Sequence, residues 1–248
     1  MKIDHAIIIG AGGTGSHLIE PLVRLLHYHE DGTKSITVID GDQYEDSNST
    51  RQLFSKELMG VNKAEAQGRK IDFAELRIVP EYVNDLKMRR VMNEIGAAED
   101  DMILLILAVD NHATRSAVMK MLTSDEYQNF AVLSPGNDFS HGQVVCWARI
   151  NGEDKTQHPF ERYPLLEFPE DNIPGLGCAE EAVSTPQLIM ANALAAVSTN
   201  LYVSNILDNK PIPDEIHFNV YSLKIVPSEG TEVILALETG ETSEVLAG

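Results

Sequence analysis

A glycine-rich stretch, one acid and two spaced cations carry most of the chemistry that this sequence offers. Ile7-Ile8-Ile9 runs into Gly10-Ala11-Gly12-Gly13-Thr14-Gly15, an apolar run followed by G-x-G-x-x-G. Gly10 permits a tight turn, Gly12 lets backbone approach a phosphate, and Gly15 lets a helix pack on a strand. The helix N-terminus favours an anion. Asp40 closes the next apolar run, where a carboxylate accepts hydrogen bonds from ribose hydroxyls. These features speak for a nucleotide. On them alone a nicotinamide oxidoreductase and an adenylating enzyme stand equally open.

The following segment separates the two. It reads Asp40-Gly41-Asp42-Gln43-Tyr44-Glu45-Asp46-Ser47-Asn48-Ser49-Thr50-Arg51-Gln52-Leu53-Phe54, with Gly60-Val61-Asn62-Lys63-Ala64 after it. An enzyme that splits ATP between its α- and β-phosphates must neutralise the charge building on the departing pyrophosphate. Asn48, Arg51 and Lys63 supply donors and cations for that task, whereas a dehydrogenase needs none of them here. Taken singly, Arg51 and Lys63 are ordinary surface charges; it is their common frame with Asn48 and Gln52 that favours a site.

The pattern D-x-D-x-(V/Y)-E-x-S-N-x-x-R-Q-x-(L/F)-F followed by G-x-x-K-A resembles the signature of the ThiF/MoeB/ubiquitin-activating-enzyme superfamily. The resemblance implies ATP bound at Gly10, Gly12, Gly13, Gly15, Asp40, Asp42, Asn48, Arg51, Gln52 and Lys63. Ala108-Val109-Asp110-Asn111 resembles the family's place for a magnesium ligand, which implies Mg2+ on Asp110 with Asn111 closing on the nucleotide. In isolation, Asp110 reads as a helix N-cap for His112 onward. The implied reaction is activation of the C-terminal carboxylate of a small ubiquitin-like protein as an acyl adenylate, by a homodimer.

In the second half, Gly142-Gln143-Val144-Val145 resembles the family's G-Q-V strand. Cys178-Ala179-Glu180-Glu181, Pro186-Gln187 and Asn192-Ala193-Leu194-Ala195-Ala196 resemble the ThiF members of PRTRC-type bacterial gene clusters. Cys178 stands where some relatives carry a thiol that accepts the acyl group as a thioester; packing in a turn is the equal alternative. Cys146 belongs to a core strand. Two departures stand out: the zinc-binding cysteine pairs of many relatives have no counterpart, so no zinc is expected, and no Arg-bearing helix precedes the first strand.

Something must hold these residues in place. Apolar runs at residues 5–9, 35–39, 77–83, 102–109 and 130–134 alternate with helical periodicity at 14–29, 62–76, 86–95 and 112–125. That alternation predicts a Rossmann-like α/β fold, a doubly wound and mostly parallel sheet with helices on both faces. Residues 142–150 read as a strand with no helix before it, so an antiparallel C-terminal extension is expected. A charged, proline-bearing crossing segment at 151–177, a small-residue helix at 184–207 and closing strands at 215–226 and 232–238 complete one adenylation domain over 1–248. Its halves are 1–136, which binds nucleotide, and 137–248.

Composition limits the partners. Asp and Glu number 38 against 19 Lys and Arg, a formal charge of −19. Such a surface repels nucleic-acid phosphates and anionic lipid, and no Lys/Arg run interrupts it. No signal peptide opens the sequence and no apolar run is long enough to span a bilayer, so a cytoplasmic protein is expected. The histidines form no ligand set. Three rival readings keep a place: a small-molecule or tRNA-base activator, a scaffold that has lost turnover, and, weakest, an oxidoreductase.

Overall fold

The protein is seen here in a computed structural model that describes residues 1–124, 127–171, 188–228 and 232–235. The first strand, β1 (His5–Ile9), is followed by α1 (Gly13–Tyr28), β2 (Ile36–Ile39) and two short 3-10 turns, Asp46–Asn48 and Lys56–Leu58. Then come α2 (Lys63–Gly68), β3 (Arg77–Val79), α3 (Asp85–Ile95), β4 (Met102–Leu107) and α4 (His112–Ser124). Next are β5 (Asn129–Asn137), β6 (His141–Ile150), β7 (Glu153–Asp154), α5 (Pro159–Arg162) and a 3-10 turn at Pro164–Leu166. Helix α6 (Ile189–Leu207), β8 (Ile212–Pro213), β9 (Glu215–Asn219), β10 (Lys224–Pro227) and β11 (Glu232–Val233) finish the described chain.

Nine strands form the main sheet, in the order β10-β9-β6-β5-β4-β1-β2-β3 with β7 on β6. Strands β3, β2, β1, β4 and β5 run parallel, and β6, β9 and β10 extend them antiparallel. The expected class therefore holds. Strand β4, Met-Ile-Leu-Leu-Ile-Leu, is buried at every position, as a parallel strand covered on both faces must be. Alternate residues serve two cores. Ile8, Leu104 and Ile106 pack with Leu18, Leu22, Val203 and Ile206 under α1 and α6, while Ile7, Ile9, Leu105 and Leu107 pack with Met88, Met92, Val118 and Leu122 under α3 and α4.

One expectation needs correction. The helix expected over 62–76 stops at Gly68, where a Cβ would press on Ile78 at 3.0 Å. Ile71, Ala74 and Leu76 pack on the core from turns instead, and their spacing imitates helical period. Through residue 171 the crossing segment carries β7, α5 and a 3-10 turn, and Phe160 and Leu166 pack against the Trp147 cluster. Among the described residues the long helix begins at Ile189, capped by Leu188, so its expected first turn at 184–187 lies outside them.

The first strand lies between β2 and β4, and the connections from β1 and β4 depart to opposite faces of the sheet. That is the switch point at which open α/β sheets leave a crevice beyond the carboxyl ends of their strands. Gly10, Asp40, Asp110 and Asn137 all stand at such ends.

Candidate functional site

The glycine loop is shaped by what its Cβ atoms would meet. Gly10 has φ +100°, and a side chain there would collide with the Ala108 carbonyl just beyond β4. A Cβ on Gly15 would collide with the Gly10 carbonyl. Both glycines are demanded by the fold. Gly12 differs, since a Cβ there would meet only Gln52 Nε2, at an ordinary 3.7 Å. It is half-buried at the start of α1, a helix with neither a side-chain cap nor an acid in its first turn. Unpaired N–H groups and the helix dipole make such an end a place for an anion.

Asp40 grips the loop from β2. Its Oδ2 accepts from Ala11 N at 2.6 Å and its Oδ1 from Asp42 N at 2.8 Å. Burial pushes its carboxyl up to about 6, opposed by Lys63 and by those two backbone donors. Tyr44 supports the loop from below, fully buried, stacked on Phe54 at 4.3 Å, with its hydroxyl on the Ala11 carbonyl at 3.3 Å. Gln67 of α2 donates to that hydroxyl at 2.5 Å, and burial raises Tyr44 to about 12.

Lys63 opens α2, which Asn62 caps by accepting from Glu65 N at 3.2 Å. The Asn62 amide also donates to the carbonyls of Asp40 and Asp42, so helix and loop are tied. The Lys63 ammonium lies 3.0 Å from Asp42 Oδ2, and Tyr82 donates to Asp42 Oδ1. Tyr82 lies flat against Gly41, where a Cβ would meet its ring at 2.5 Å.

Arg51 and Gln52 follow the Asp46–Asn48 turn. Asn48 is buried and its Oδ1 accepts from Glu45 N at 3.0 Å, so one function of this amide is to shape the turn that presents Arg51. Among the described residues no hydrogen bond or ion pair reaches the Arg51 guanidinium. Gln52 is buried and its Oε1 has no partner among the described residues. A buried amide oxygen and a cation, neither with a partner among the described residues, are what a polyanionic ligand at the glycine loop would complete.

On the other flank, Asp110 lies exposed just beyond β4. The cap of α4 is not Asp110 but Asn111, whose Oδ1 accepts from Thr114 N at 2.8 Å. That leaves the Asp110 carboxylate for other work; among the described residues it makes no hydrogen bond. One exposed carboxylate fits a magnesium ion that takes its remaining ligands from phosphate and water. Asp171, on the crossing segment, accepts from His112 N at 2.6 Å and Ala113 N at 2.8 Å.

Beneath lies a residue that the sequence reading missed. Arg115 is buried and donates to Ser134 Oγ, to the Val109 carbonyl and, at 2.8 Å, to the Pro135 carbonyl. Burial draws its guanidinium down to about 10, with Asp110 and Asp171 pulling the other way. It stays charged at neutral pH, fixing the ends of β4 and β5 together.

Asn137 and Asn192 also join the site unannounced. Thr14 Oγ1 donates to Asn137 Oδ1 at 3.2 Å, and Asn137 Nδ2 donates to Asn192 Oδ1 at 3.0 Å. A polar residue inside the apolar period of α6 was the available signal. Beyond Asn137 opens a cavity of about 550 Å3, lined by His141, Gln143, His217, Asn219 and Lys224 among others.

The structure thus brings Gly10, Gly12, Gly13, Gly15, Asp40, Asp42, Gln52 and Lys63 together, with Arg51, Asp110 and Asn111 at the rim. Cys178 lies outside the described residues, as do Pro186 and Gln187. Cys146 is a buried core residue, as expected. Among the described residues no group of three metal-binding side chains forms, and no helix is long and apolar enough to cross a membrane.

The ThiF family model matches residues 2–206. No curated protein matches. Among solved structures, MccB of E. coli with AMPCPP and MccA is similar at 16% identity and TM-score 0.60, covering 96% of this chain and 66% of that one. PaaA is similar at 16% identity and TM-score 0.59, covering 93% and 65%. MccB of E. coli with ATP gives 16% and 0.59, covering 96% and 64%. The chain spans just under two thirds of the length of these structures.

Proposed function

The chain belongs to the ThiF family, and from that premise we propose that it is an ATP-dependent adenylyltransferase acting on the C-terminal carboxylate of a small, ubiquitin-like protein. One observation carries the reading: two cations flank the glycine loop in different settings, Lys63 steered by Asp42 and Arg51 without a partner among the described residues. A hydride-transferring enzyme has no use for either. That solved neighbours pair MccB with ATP, or with AMPCPP and MccA, supports both the nucleotide and a peptide-like partner.

In this reading the ribose hydroxyls donate to Asp40, and the triphosphate runs from the Gly12 backbone towards Arg51, Gln52 and Lys63. The acyl donor enters by the cavity beside Asn137, where Lys224 and His217 sit. Its carboxylate oxygen attacks the α-phosphorus, and the bond to the β-phosphate oxygen breaks. The negative charge moves onto pyrophosphate, where Arg51 and Lys63 receive it. No protein base is required, so the chain contributes position and electrostatic stabilisation. Mg2+ held by Asp110 would add charge neutralisation on the phosphates. Asn111 shapes the turn that presents Asp110.

Cys178 is proposed as the acceptor of the activated acyl group. The thiolate sulfur attacks the acyl carbon, a thioester forms and AMP leaves. Replacing Cys178 by Ala is expected to keep adenylate formation and to abolish any reductant-sensitive conjugate; adenylate without such an adduct in the parent protein would remove the role. A homodimer is proposed on α6, where Met190, Val197 and Leu201 are exposed.

The decisive measurement is ATP–pyrophosphate exchange with candidate partners bearing free C-termini. Exchange that depends on the partner's terminal carboxylate is expected. No exchange with any candidate, from protein that binds ATP, would point instead to a scaffold.

A further inference from the structure

Gly13 is the first residue of α1, and a Cβ placed on it would stand 2.9 Å from both amide heteroatoms of Asn192. Asn192 comes from α6, far along the chain, and is fully buried among Ala191, Ala195 and Ala196. A buried amide in such company costs free energy unless it is hydrogen-bonded. Here it is. Nδ2 donates to the Arg51 carbonyl at 3.3 Å, and Oδ1 accepts from Asn137 at 3.0 Å. One side chain therefore touches the glycine loop, the Arg51 turn and the end of β5.

The Arg51 guanidinium has no partner among the described residues, so its position is set by the backbone that carries it. That backbone is held at a few points. Arg51 N and Gln52 N both donate to the Asn48 carbonyl, Leu53 N donates to Ser16 Oγ at 3.0 Å, and the Arg51 carbonyl is met by Asn192 and by the His17 ring. Among the described residues, only the Asn192 bond ties this turn to the second half of the chain.

We infer that Asn192 is a positioning residue that sets the Arg51 guanidinium against the Gly12–Gly13 backbone by holding the Arg51 carbonyl. The inference rests on the nucleotide-binding reading above and deepens it. A misplacement of about 1 Å at a charge-stabilising group costs up to ~10²-fold in rate, so one bond to a main-chain carbonyl is enough to matter. The shape of Asn192 fills the place of a Gly13 side chain; its donor fixes Arg51.

The test uses the full chain and binding of a non-hydrolysable ATP analogue by calorimetry, which needs no acyl donor. Asn192→Leu keeps the volume and removes the donor. It is expected to weaken analogue binding roughly tenfold, Arg51→Ala to do the same, and the double variant to be no worse than the weaker single one. Losses that multiply, or parent-like binding by Asn192→Leu, would overturn the inference. If Asn192→Leu does not fold, Asn192→Asp keeps the acceptor for Asn137 and loses the donor to Arg51, and the same non-additivity is expected. Failure of the parent protein to bind the analogue would sink the nucleotide reading itself, a distinguishable result.

Discussion

Lys63 Nζ lies 3.0 Å from Asp42 Oδ2, and the two ends of this pair are unlike: the lysine side chain is 8% exposed and the aspartate 47%. The carboxylate reaches out of the fold while the ammonium stays within it. Asp42 is in turn held by Tyr82, which packs on Gly41. The pair is thus a steered cation rather than a surface salt bridge of the ordinary kind.

Lys63→Ala and Arg51→Ala are each expected to lower pyrophosphate exchange by ~10²–10³, the scale for removing one charge-stabilising group. Asp42→Asn, which frees the ammonium without deleting it, should cost less than Lys63→Ala. Exchange within a few-fold of the parent for both cation variants would remove them from the site.

The glycines should separate. Gly12→Ala has room for its methyl beside Gln52 and is expected to melt near the parent temperature while binding ATP more weakly. Gly10→Ala must abandon φ +100° or displace the Ala108 carbonyl, and is expected to unfold more easily. Thermal melts with nucleotide titrations check both; equal melting temperatures would contradict the assignment.

Asp40 gives a pH dependence whose sign follows from its raised carboxyl. The contribution of its native-state proton to stability is full below the unfolded value of 3.8 and is lost as pH rises through about 6. Ribose hydroxyls donate to the ionised form, so nucleotide affinity is expected to move the other way, rising as pH passes about 6. Analogue titrations at roughly pH 5 and pH 8 read this directly. Asp40→Asn should be flat between them, and a flat parent would exclude Asp40 as the titrating group.

Arg115 offers a stability test. Arg115→Met leaves the Val109 and Pro135 carbonyls and the Ser134 hydroxyl without their donor, an expected loss of about 2–4 kcal/mol. Arg115→Lys has a single charged end where three acceptors lie apart and should recover little. A urea midpoint unchanged in Arg115→Met would show that the buried charge cost as much as its bonds returned.

The parallel half of the fold was legible because β4 is apolar throughout, β1 and β2 are apolar but for His5 and Thr37, and each is followed by turn residues and helical period. Gly10, Asp40, Arg51 and Lys63 were legible because a local motif fixes them. Asn192 and Arg115 were not, since beside Asn137 and Ser134 their partners are main-chain carbonyls of Arg51, Val109 and Pro135, and a carbonyl has no letter in a sequence. The turn after Gly68 was misread because Ile71, Ala74 and Leu76 bury themselves at helical spacing without a helix.

The bond from Asn192 to the Arg51 carbonyl also sets an order of assembly. Glycine loop and Arg51 turn lie in the first quarter of the chain, while the amide that joins them comes after β6 and the crossing segment. A chain emerging during synthesis can pair β1 with β2 and then with β4, yet its glycine loop stays unfinished until α6 docks. Nucleotide binding would then appear late, as a mark of the completed domain rather than of its first folded part.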